Sequence, residues 1–333
     1  MEPRPGRSRR LRSSRQRGVH RCRRAHWLRF LVVTAPVVAV AAICVAAWSR
    51  SPAAVGLEQR VRLRLDVTGG TAAAPGAIAP ALREAVVATE DERFYHHPGI
   101  DLIGILRALP DDLTHLSFRQ GASTITEQVA KLLYLNGNDH SPWRKLVDAS
   151  IALKLERRYS KEQILAAYLN SVYFGDDAYG VKAASMRYFA VTPGKVNLAQ
   201  ASLLAGLIQA PSAYDPFRHP EAARSRQLDV LSALVRDGFA NADEAGAVLR
   251  RPLRLRGGLI LPPVKGADLA PAAPFIWWQL AIGALMTLLA VVAFLGSRLP
   301  RFRLAHGALA VRLSALCLVL AGVGIVFRSF RAA

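Results

Sequence analysis

The hydrophobic positions of this chain first gather in one run near the N-terminus. Phe30 to Ala47 is apolar except for Thr34, and Trp27 and Trp48 border it. About twenty residues, each rising about 1.5 Å, cross a bilayer core of about 30 Å, so the run predicts a transmembrane helix over 30–48. A cleaved signal peptide is the alternative, but the charged leader before the run is long for one. We therefore expect an uncleaved anchor.

Two further apolar runs follow near the C-terminus. The first, Phe275 to Leu295, has twenty-one residues without a charge and predicts a second span over 275–296. The last, Leu313 to Phe327, has only fifteen residues, so a third span over 307–327 has to include Arg312. Because an arginine at mid-membrane costs about 2–3 kcal/mol, this third span is the weakest of the three predictions.

Between these runs the apolar residues mostly recur at helical spacing. Leu82 and Val86 lead in this way toward Glu90, which predicts a helix that ends in acidic residues. The same periodicity, or a nearly continuous apolar character, predicts further helices over Trp143–Arg158, Lys161–Tyr173, Leu198–Ile208 and Pro220–Val235.

One stretch alternates instead. From Val61 to Leu65 the sequence reads Val-Arg-Leu-Arg-Leu, and a run rich in Gly, Ala and Pro follows it. Alternation of apolar and polar residues is typical of a strand, so the sequence predicts a short strand within a linker.

These patterns divide the chain into consecutive segments. They are a basic cytoplasmic tail over 1–29, a transmembrane helix over 30–48, a linker over 49–77, a globular domain over 78–256, a linker over 257–274, a transmembrane helix over 275–296, a cytoplasmic loop over 297–306 and a candidate transmembrane helix over 307–327. Arg298, Arg301 and Arg303 favour the cytoplasm for the loop, because positive residues are retained on that side.

The distribution of charged residues along the chain agrees with a cytoplasmic N-terminus. The protein carries a net charge of +20, but residues 1–56 hold twelve Arg against one Glu, whereas 78–262 hold twenty-two basic and twenty acidic residues. The globular part is therefore nearly neutral, which argues against a nucleic-acid partner. An arginine-rich tail beside an apolar span is explained by orientation in a membrane. The three cysteines, Cys22, Cys44 and Cys317, lie outside 78–262, so no cysteine-based metal site is predicted.

The first candidate site lies where the predicted helix ends at Glu90. Glu90, Asp91 and Glu92 follow one another, and Pro98-Gly99 then stops any helix. Acidic residues at a helix C-terminus face the negative end of the helix dipole, which is unfavourable. A local rule that is broken in this way indicates a functional site, although a solvated helix end would show the same residues.

The second candidate site is the start of another helix at Gly121 to Gln128. Thr124 and Glu127 fit a capping box, which is a purely structural interpretation. Exposed backbone N–H groups and hydroxyls at a helix start also suit a phosphate group, and Lys131 adds positive charge one turn later. Further along, Asp148 and Glu156 lie two turns apart on one helix face.

Taken together and in order, these segments resemble the glycosyltransferase family of penicillin-binding proteins, the peptidoglycan polymerases. Five blocks carry the resemblance: Glu90-Asp91 with Phe94, His97 and Gly99; Gly121 with Ser123 to Thr126 and Gln128; Arg144-Lys145 with Asp148; Lys161 with Ile164-Leu165 and Tyr168 to Asn170; and Arg226 with Val230-Leu231. The blocks cover nearly all of 78–235.

The resemblance implies a mostly α, bilobal, lysozyme-like glycosyltransferase domain on the extracytoplasmic side of the bacterial cytoplasmic membrane. It implies inverting transfer of a growing glycan from polyprenyl pyrophosphate to lipid II, the lipid-linked disaccharide-peptide. Lipid II, the glycan strand and membrane lipids would be its partners, with other cell-wall synthesis or division proteins as candidates. No cofactor and no protein-bound metal are expected, although a divalent cation at the pyrophosphate is compatible with the family.

The resemblance also assigns roles to residues. Glu90 matches the catalytic Glu and would accept a proton from the attacking hydroxyl, and Asp148 occupies the position of a second acid. A carboxylate suits proton transfer when burial raises its pKa. Asp91, Phe94, His97, Glu127 and Arg226 are expected to be structural or remain without a role, and Asp91 is expected to form an ion pair. The residues expected to bind substrate are Ser123, Thr124, Gln128, Lys131, Arg144, Lys145, Tyr168 and Asn170.

Two positions depart from the family. Asp148 stands where the family usually has Glu, and Glu127 stands where it usually has Gln. Three interpretations of Glu127 remain open from the sequence: it is a cap that points away from the site, its carboxylate holds a cation, or it substitutes for the shortened acid. No transpeptidase domain follows residue 256, so a monofunctional enzyme is expected.

Two other functions compete with the polymerase. A lysozyme-like glycan hydrolase would also use two acids, but attack by water needs no pyrophosphate pocket, so the cations after Gly121 favour the polymerase. A catalytically weak membrane scaffold is the other alternative, because Asp148 and Glu127 both depart from the family.

Overall fold

A computed structural model describes residues 34–105, 123–135, 141–264 and residue 269. They belong to one compact unit, which ends at Leu269. The predicted segments 1–29, 275–296, 297–306 and 307–327 lie outside the described residues. Among the residues that are described, no helix combines the length and the apolar character needed to cross a bilayer.

The first described helix, α1, covers 34–50 and so overlaps the segment predicted to span the membrane. Its apolar side chains Val37, Val38 and Val40 are exposed, whereas Ala47 near its end is buried. The end of α1 is held by Lys154, whose ammonium donates to the carbonyl oxygens of Trp48 and Ser51 at 2.8 and 2.9 Å. A cation is favourable there because the last carbonyls of a helix carry partial negative charge.

The strand predicted at 61–65 is wrong, because this stretch belongs to helix α2 (Leu57–Val67). Leu57, Val61 and Leu65 are its buried residues and are four apart, so they lie on one helix face. Leu63, which created the apparent alternation, is 58% exposed. The predicted linker therefore contains a packed helix, and the compact unit includes residues before 78.

The remaining helices agree with the predicted mostly α class. They are α3 (Pro80–Glu90), α4 (Ile125–Tyr134), α5 (Pro142–Glu156), α6 (Lys161–Ser171), α7 (Gly180–Phe189), α8 (Leu198–Leu207), α9 (Pro220–Arg236) and α10 (Ala242–Arg250), with short 3-10 turns at Pro75–Ala77, Phe94–His96 and Pro193–Lys195. The helices predicted from periodicity at α3, α5, α6, α8 and α9 are thus confirmed, with ends within about two residues of those expected.

The helices pack in two connected groups. In one, α9 packs against α8 and α3; in the other, α4 packs against α5 and α6, and α2 adds to its side. Helix α7 contacts both α6 and α8. The fully buried aromatic rings Phe94, Tyr168 and Tyr188 belong to the single hydrophobic core of the described residues. The end of α3 and the start of α4 meet beside this core.

The end of the domain lies beyond the predicted boundary at 256. Strands β1 (Leu253–Arg254) and β2 (Ile260–Leu261) pair antiparallel, so residue 256 falls in the turn between them. The buried Arg224 guanidinium fixes this hairpin, because it donates to the carbonyl oxygens of Leu249, Arg251 and Pro262 at 2.8–2.9 Å. Such a buried cation needs several acceptors, which the three carbonyls supply.

Candidate active site

Glu90 is the last residue of α3 and lies largely out of solvent. Pro80 opens this helix, and Leu82, Val86 and Val87 bury its apolar face, so the packing of the helix fixes where its last side chain lies. The Nε2 atom of Gln128 donates a hydrogen bond to Glu90 Oε2 at 2.9 Å. The first and second candidate sites of the sequence therefore meet at this contact.

Burial raises the pKa of the Glu90 carboxyl above its ordinary value. The hydrogen bond from Gln128 and the positive charge of Arg226 lower that pKa in part, and the charge of Asp91 raises it. A carboxyl with a raised pKa accepts a proton more readily than an exposed one at neutral pH. Glu90 thus has the properties of a general base.

Tyr168 fixes the orientation of Gln128. Its ring is fully buried in the core, and its hydroxyl donates to Gln128 Oε1 at 3.0 Å. Because the amide oxygen is held by Tyr168, the amide nitrogen faces Glu90. Burial also raises the pKa of Tyr168 well above 10, so the phenol stays protonated and remains a donor. Tyr168 therefore acts on Glu90 through Gln128.

Asp91 forms the structural pair that the sequence predicted, and it joins α3 to α4. Its carboxylate accepts from His97 Nε2 at 2.9 Å and from the backbone N–H of Ile125 at 3.0 Å. The Nδ1 atom of His97 accepts from the backbone N–H of Gly99 at 3.1 Å. Asp91 therefore has its oxygens directed into the structure and not toward a substrate.

Gly99 lets this turn pack closely on α5. Its φ angle is +100°, and a Cβ at this position would lie 3.0 Å from the carbonyl oxygen of Ala152. Both the backbone conformation and the close contact require glycine. The position of His97, and through it of Asp91, thus depends on this approach.

The structure changes the assignment of Thr124, which was expected to bind substrate. Its hydroxyl donates to the carbonyl oxygen of Gly99 at 2.6 Å and accepts from the backbone N–H of Glu127 at 3.1 Å, and the residue is buried. The N–H of Ile125 already binds Asp91. The start of α4 therefore does not offer the exposed backbone donors that the sequence suggested, and Thr124 is a structural cap.

Glu127 completes the predicted capping box. Its Oε2 atom accepts from the backbone N–H of Thr124 at 3.1 Å, and the same atom accepts from Lys145 Nζ at 3.2 Å. Two of the three interpretations thus hold together: Glu127 is a cap, and its carboxylate also holds a cation. The part of the first interpretation in which it points away from the site is wrong.

Several cations lie around the start of α4 and the first turns of α5. Lys145 Nζ donates to the exposed Ser123 Oγ at 2.6 Å, and Arg144 Nε donates to Asp148 Oδ1 at 3.2 Å. Burial raises the pKa of Asp148, and the positive charges of Arg144, Lys145 and Lys131 lower it in part. Asp148 therefore lies among the cations expected to bind pyrophosphate.

Glu156 does not share the surroundings of Asp148, although both lie on α5. Its carboxylate accepts from Thr126 Oγ1 at 2.6 Å and from Lys161 Nζ at 2.8 Å. Lys161 also donates to the carbonyl oxygen of His97 at 2.7 Å and lies over the Phe94 ring. Lys161 thus ties α6 to the turn after α3, and sequence reasoning gave it no role.

Asn170 does not lie with the residues expected to bind substrate. Its amide exchanges two hydrogen bonds of 2.8 Å with the backbone N–H and carbonyl oxygen of Ala73, and donates a third to Ala166. Asn170 therefore holds the segment between α2 and α3 against α6. The expectation that it binds substrate is wrong, since its side chain is buried and fully engaged.

Arg226 has a place that the sequence left open. It comes from α9, and its charge acts on Glu90. Its guanidinium lies over the Tyr214 ring at 5.9 Å, and its Nε is a buried donor without a hydrogen-bond partner among the described residues. The positive charge of Arg226 favours the charged form of the Glu90 carboxylate. Within the described residues, no group of three or more metal-ligating side chains is found.

The middle part of the chain is similar in sequence to known proteins. The family model described as "Transglycosylase" matches residues 66–235. A candidate transglycosylase of Cupriavidus necator is 43% identical over 185 residues, which cover 54% of this chain and 78% of that protein.

Penicillin-binding protein 1A of Neisseria flavescens is 41% identical, and that of Aquifex aeolicus is 40% identical. The matches cover 52% of this chain but only 21% and 24% of those longer proteins. The crystal structure of penicillin-binding protein 1A from Haemophilus influenzae aligns at 32% identity over 28% of this chain and 14% of that one, with a TM-score of 0.28. This last likeness is too small to support an argument. The family match covers half of the chain, and therefore the protein belongs to the transglycosylase family, that of the peptidoglycan glycosyltransferases.

Proposed function

We propose that this glycosyltransferase polymerises lipid II into glycan strands with inversion and releases polyprenyl pyrophosphate. The observation that supports this most strongly is the state of Glu90. Its side chain is largely shielded from solvent, its pKa is raised, and one hydrogen bond from Gln128 at the start of α4 orients its carboxylate.

In the proposed reaction the Glu90 carboxylate accepts the proton of the 4-hydroxyl group of the incoming disaccharide. The hydroxyl oxygen then forms a bond to the anomeric carbon of the growing strand, from the face opposite the pyrophosphate. The bond from that carbon to the pyrophosphate oxygen breaks, and its electron pair leaves with the pyrophosphate. A base with a raised pKa is suited to the first step, because its proton affinity is closer to that required at neutral pH.

The leaving pyrophosphate requires positive charge, because negative charge develops on it in the transition state. Lys131, Lys145 and Ser123 are exposed and can approach a substrate, and Arg144 lies beside them. These cations favour a polymerase over a glycan hydrolase, since attack by water on a glycan releases no pyrophosphate. A divalent cation would be bound by the oxygen atoms of the pyrophosphate and not by these side chains, so the proposal requires no metal site in the protein.

The substrate is a membrane lipid, and the proposal therefore places the site at the extracytoplasmic face of the bacterial cytoplasmic membrane. Three features support this: the apolar run over 30–48, the exposed apolar face of α1, and the arginine-rich tail before it. The later apolar runs would add further anchors. Other cell-wall synthesis or division proteins are proposed as partners only on the basis of this location.

Purified full-length protein incubated with labelled lipid II tests the proposal. Polymer is expected, and shortening of preformed glycan would instead support the hydrolase, while neither product would support the scaffold. Glu90→Gln should lower polymerisation by at least about a hundredfold, because general-base catalysis contributes roughly 10²–10⁴-fold. Glu92→Gln is the matched control two residues away and should retain at least half of the activity; full activity of Glu90→Gln would overturn the assignment.

A further inference from the structure

The negative charge of Glu127 is not needed for the capping box in which it takes part. The described part of the chain has two other complete capping boxes, Ser160 with Gln163 and Asn197 with Gln200. In both, the neutral amide of a glutamine makes the hydrogen bond that Glu127 makes at α4. Glutamine completes the capping boxes at α6 and α8, so the capping box alone does not explain the carboxylate at α4. This carboxylate has a second partner among its contacts.

That partner is Lys145. Glu127 Oε2 lies 3.2 Å from Lys145 Nζ, and Lys145 Nζ lies 2.6 Å from Ser123 Oγ. The side chain of Glu127 is only 5% exposed, whereas that of Lys145 is 51% exposed. The carboxylate is held in place by its bond to the backbone of Thr124. A fixed, buried anion therefore holds one side of an ammonium group whose other side is open to a ligand.

Holding the ammonium matters because lysine has a long and flexible stem. A free lysine loses side-chain entropy when it binds a phosphate, and a carboxylate that already fixes it removes part of that loss. The other acid nearby, Asp148, accepts from Arg144 on its own helix. Lys145 Nζ donates to Glu127 and to Ser123, so Glu127 is the acid whose hydrogen bond holds the ammonium beside Ser123.

We propose that Glu127 is a positioning residue, which holds the Lys145 ammonium beside Ser123 in the orientation that receives the pyrophosphate of the lipid-linked substrate. This inference rests on the proposed function for the identity of the ligand. It assigns to Glu127 a role that acts through Lys145 and requires no contact with the substrate.

A double-mutant cycle on the full-length protein tests the proposal. Glu127→Gln keeps the cap and removes the charge, and we expect kcat/KM for lipid II to fall roughly tenfold, as for the loss of one charge-assisted hydrogen bond. In a Lys145→Met background the same substitution should change kcat/KM less than about twofold, because the group it positions is gone. Equal losses in both backgrounds would overturn the proposal, since a purely structural role of Glu127 is independent of Lys145.

A binding measurement separates this inference from the proposed function. Calorimetry with farnesyl pyrophosphate, a short-chain polyprenyl pyrophosphate, should show about tenfold weaker binding to Glu127→Gln and no further effect of that change in Lys145→Met. This pattern in a protein that makes no polymer would support the inference and reject the polymerase. Unchanged binding in Glu127→Gln would overturn the inference, even if the protein polymerises lipid II.

The reciprocal change provides the control. Gln163→Glu introduces a carboxylate at the matching position of the α6 capping box. The hydrogen bonds of Gln163 in this capping box are with Ser160 and do not involve Lys145. It should leave both kcat/KM and farnesyl pyrophosphate binding unchanged. Similar losses in Gln163→Glu and Glu127→Gln would show that any change of charge in a capping box disturbs the fold, and the proposal would fail.

Discussion

The properties of the proposed base depend on a short series of side chains from three helices. Glu90 comes from α3, Gln128 from α4 and Tyr168 from α6, and two hydrogen bonds connect them. Burial raises the pKa of Glu90, while Gln128 opposes that increase. Gln128 therefore modifies a pKa that burial raises, and Tyr168 contributes only by orienting Gln128.

Gln128→Leu should move the acid limb of activity to higher pH. The substitution removes a hydrogen bond that stabilises the Glu90 carboxylate, so the pKa of Glu90 rises further. The base is active only when ionised, and activity is lost as pH falls through this pKa. The pH profile of kcat/KM for lipid II measures the shift.

Tyr168→Phe provides the comparison for that profile. It leaves Gln128 in place but removes the hydroxyl that orients the amide, so a smaller shift in the same direction is expected. A profile that moves to lower pH in Gln128→Leu would show that the hydrogen bond does not stabilise the charged form.

The residues whose roles were predicted wrongly from the sequence are those whose hydrogen-bond partners are distant along the chain. Thr124 binds the carbonyl oxygen of Gly99, and Asn170 binds Ala73, which is 97 positions away. Both are small polar residues in motifs, and nothing local distinguishes a ligand contact from a structural one. The local pattern at the end of α3 left a solvated helix end open, and the role predicted for Glu90 depends on the resemblance of the surrounding blocks to the family.

At the scale of elements, the connection between α3 and α4 depends on Asp91. Its carboxylate accepts hydrogen bonds from both His97 and the backbone N–H of Ile125.

Helix α2 is the element for which the sequence pattern gave the wrong prediction. Its alternation pointed to a strand, but the spacing of Leu57, Val61 and Leu65 was helical, and only their burial decides between the two patterns.

Asp91→Asn should destabilise the fold by about 2 kcal/mol, because the amide NH2 group replaces one of the two acceptor oxygens and the buried donors lose their charged partner. Chemical denaturation of the purified protein measures the change in the free energy of unfolding. Asp66→Asn, at an exposed site on α2, is the control and should change it by less than about 0.5 kcal/mol. Equal effects of the two substitutions would mean that Asp91 does not join the helices.

Lys154→Met should loosen the attachment of α1 to α5. The methionine keeps most of the apolar stem but leaves the carbonyl oxygens of Trp48 and Ser51 without the ammonium. Hydrogen exchange at residues 48–51 should become roughly tenfold faster, which corresponds to about 1.4 kcal/mol. Exchange in the core helix α8 should not change.

The control for this experiment is Lys182→Met, at an exposed position of α7. It should leave exchange at 48–51 unaltered. Faster exchange throughout the domain in Lys154→Met would contradict a local role, because it would show global destabilisation and not release of α1.

At the scale of the whole molecule, the sequence separates charge and apolar character into different parts. The basic tail and the apolar runs lie toward the ends, and the nearly neutral domain lies between them. This separation is a property of composition, so it could be read without a structure. The position of the domain boundaries could not, because the helix α2 and the hairpin of β1 and β2 join the core through contacts and not through a compositional change.

Accessibility of single cysteines tests the proposed orientation of the chain. Cys22, Cys44 and Cys317 are first replaced by serine, and one cysteine is then introduced by Arg10→Cys, Asp243→Cys or Ser297→Cys. If arginine-rich segments stay in the cytoplasm, a membrane-impermeant maleimide applied to intact spheroplasts should label only the variant at Asp243. All three should be labelled after the membrane is permeabilised. Labelling at Arg10 in intact spheroplasts would invert the predicted topology and place Glu90 on the side away from an extracytoplasmic glycan, so the proposed function would fail with it.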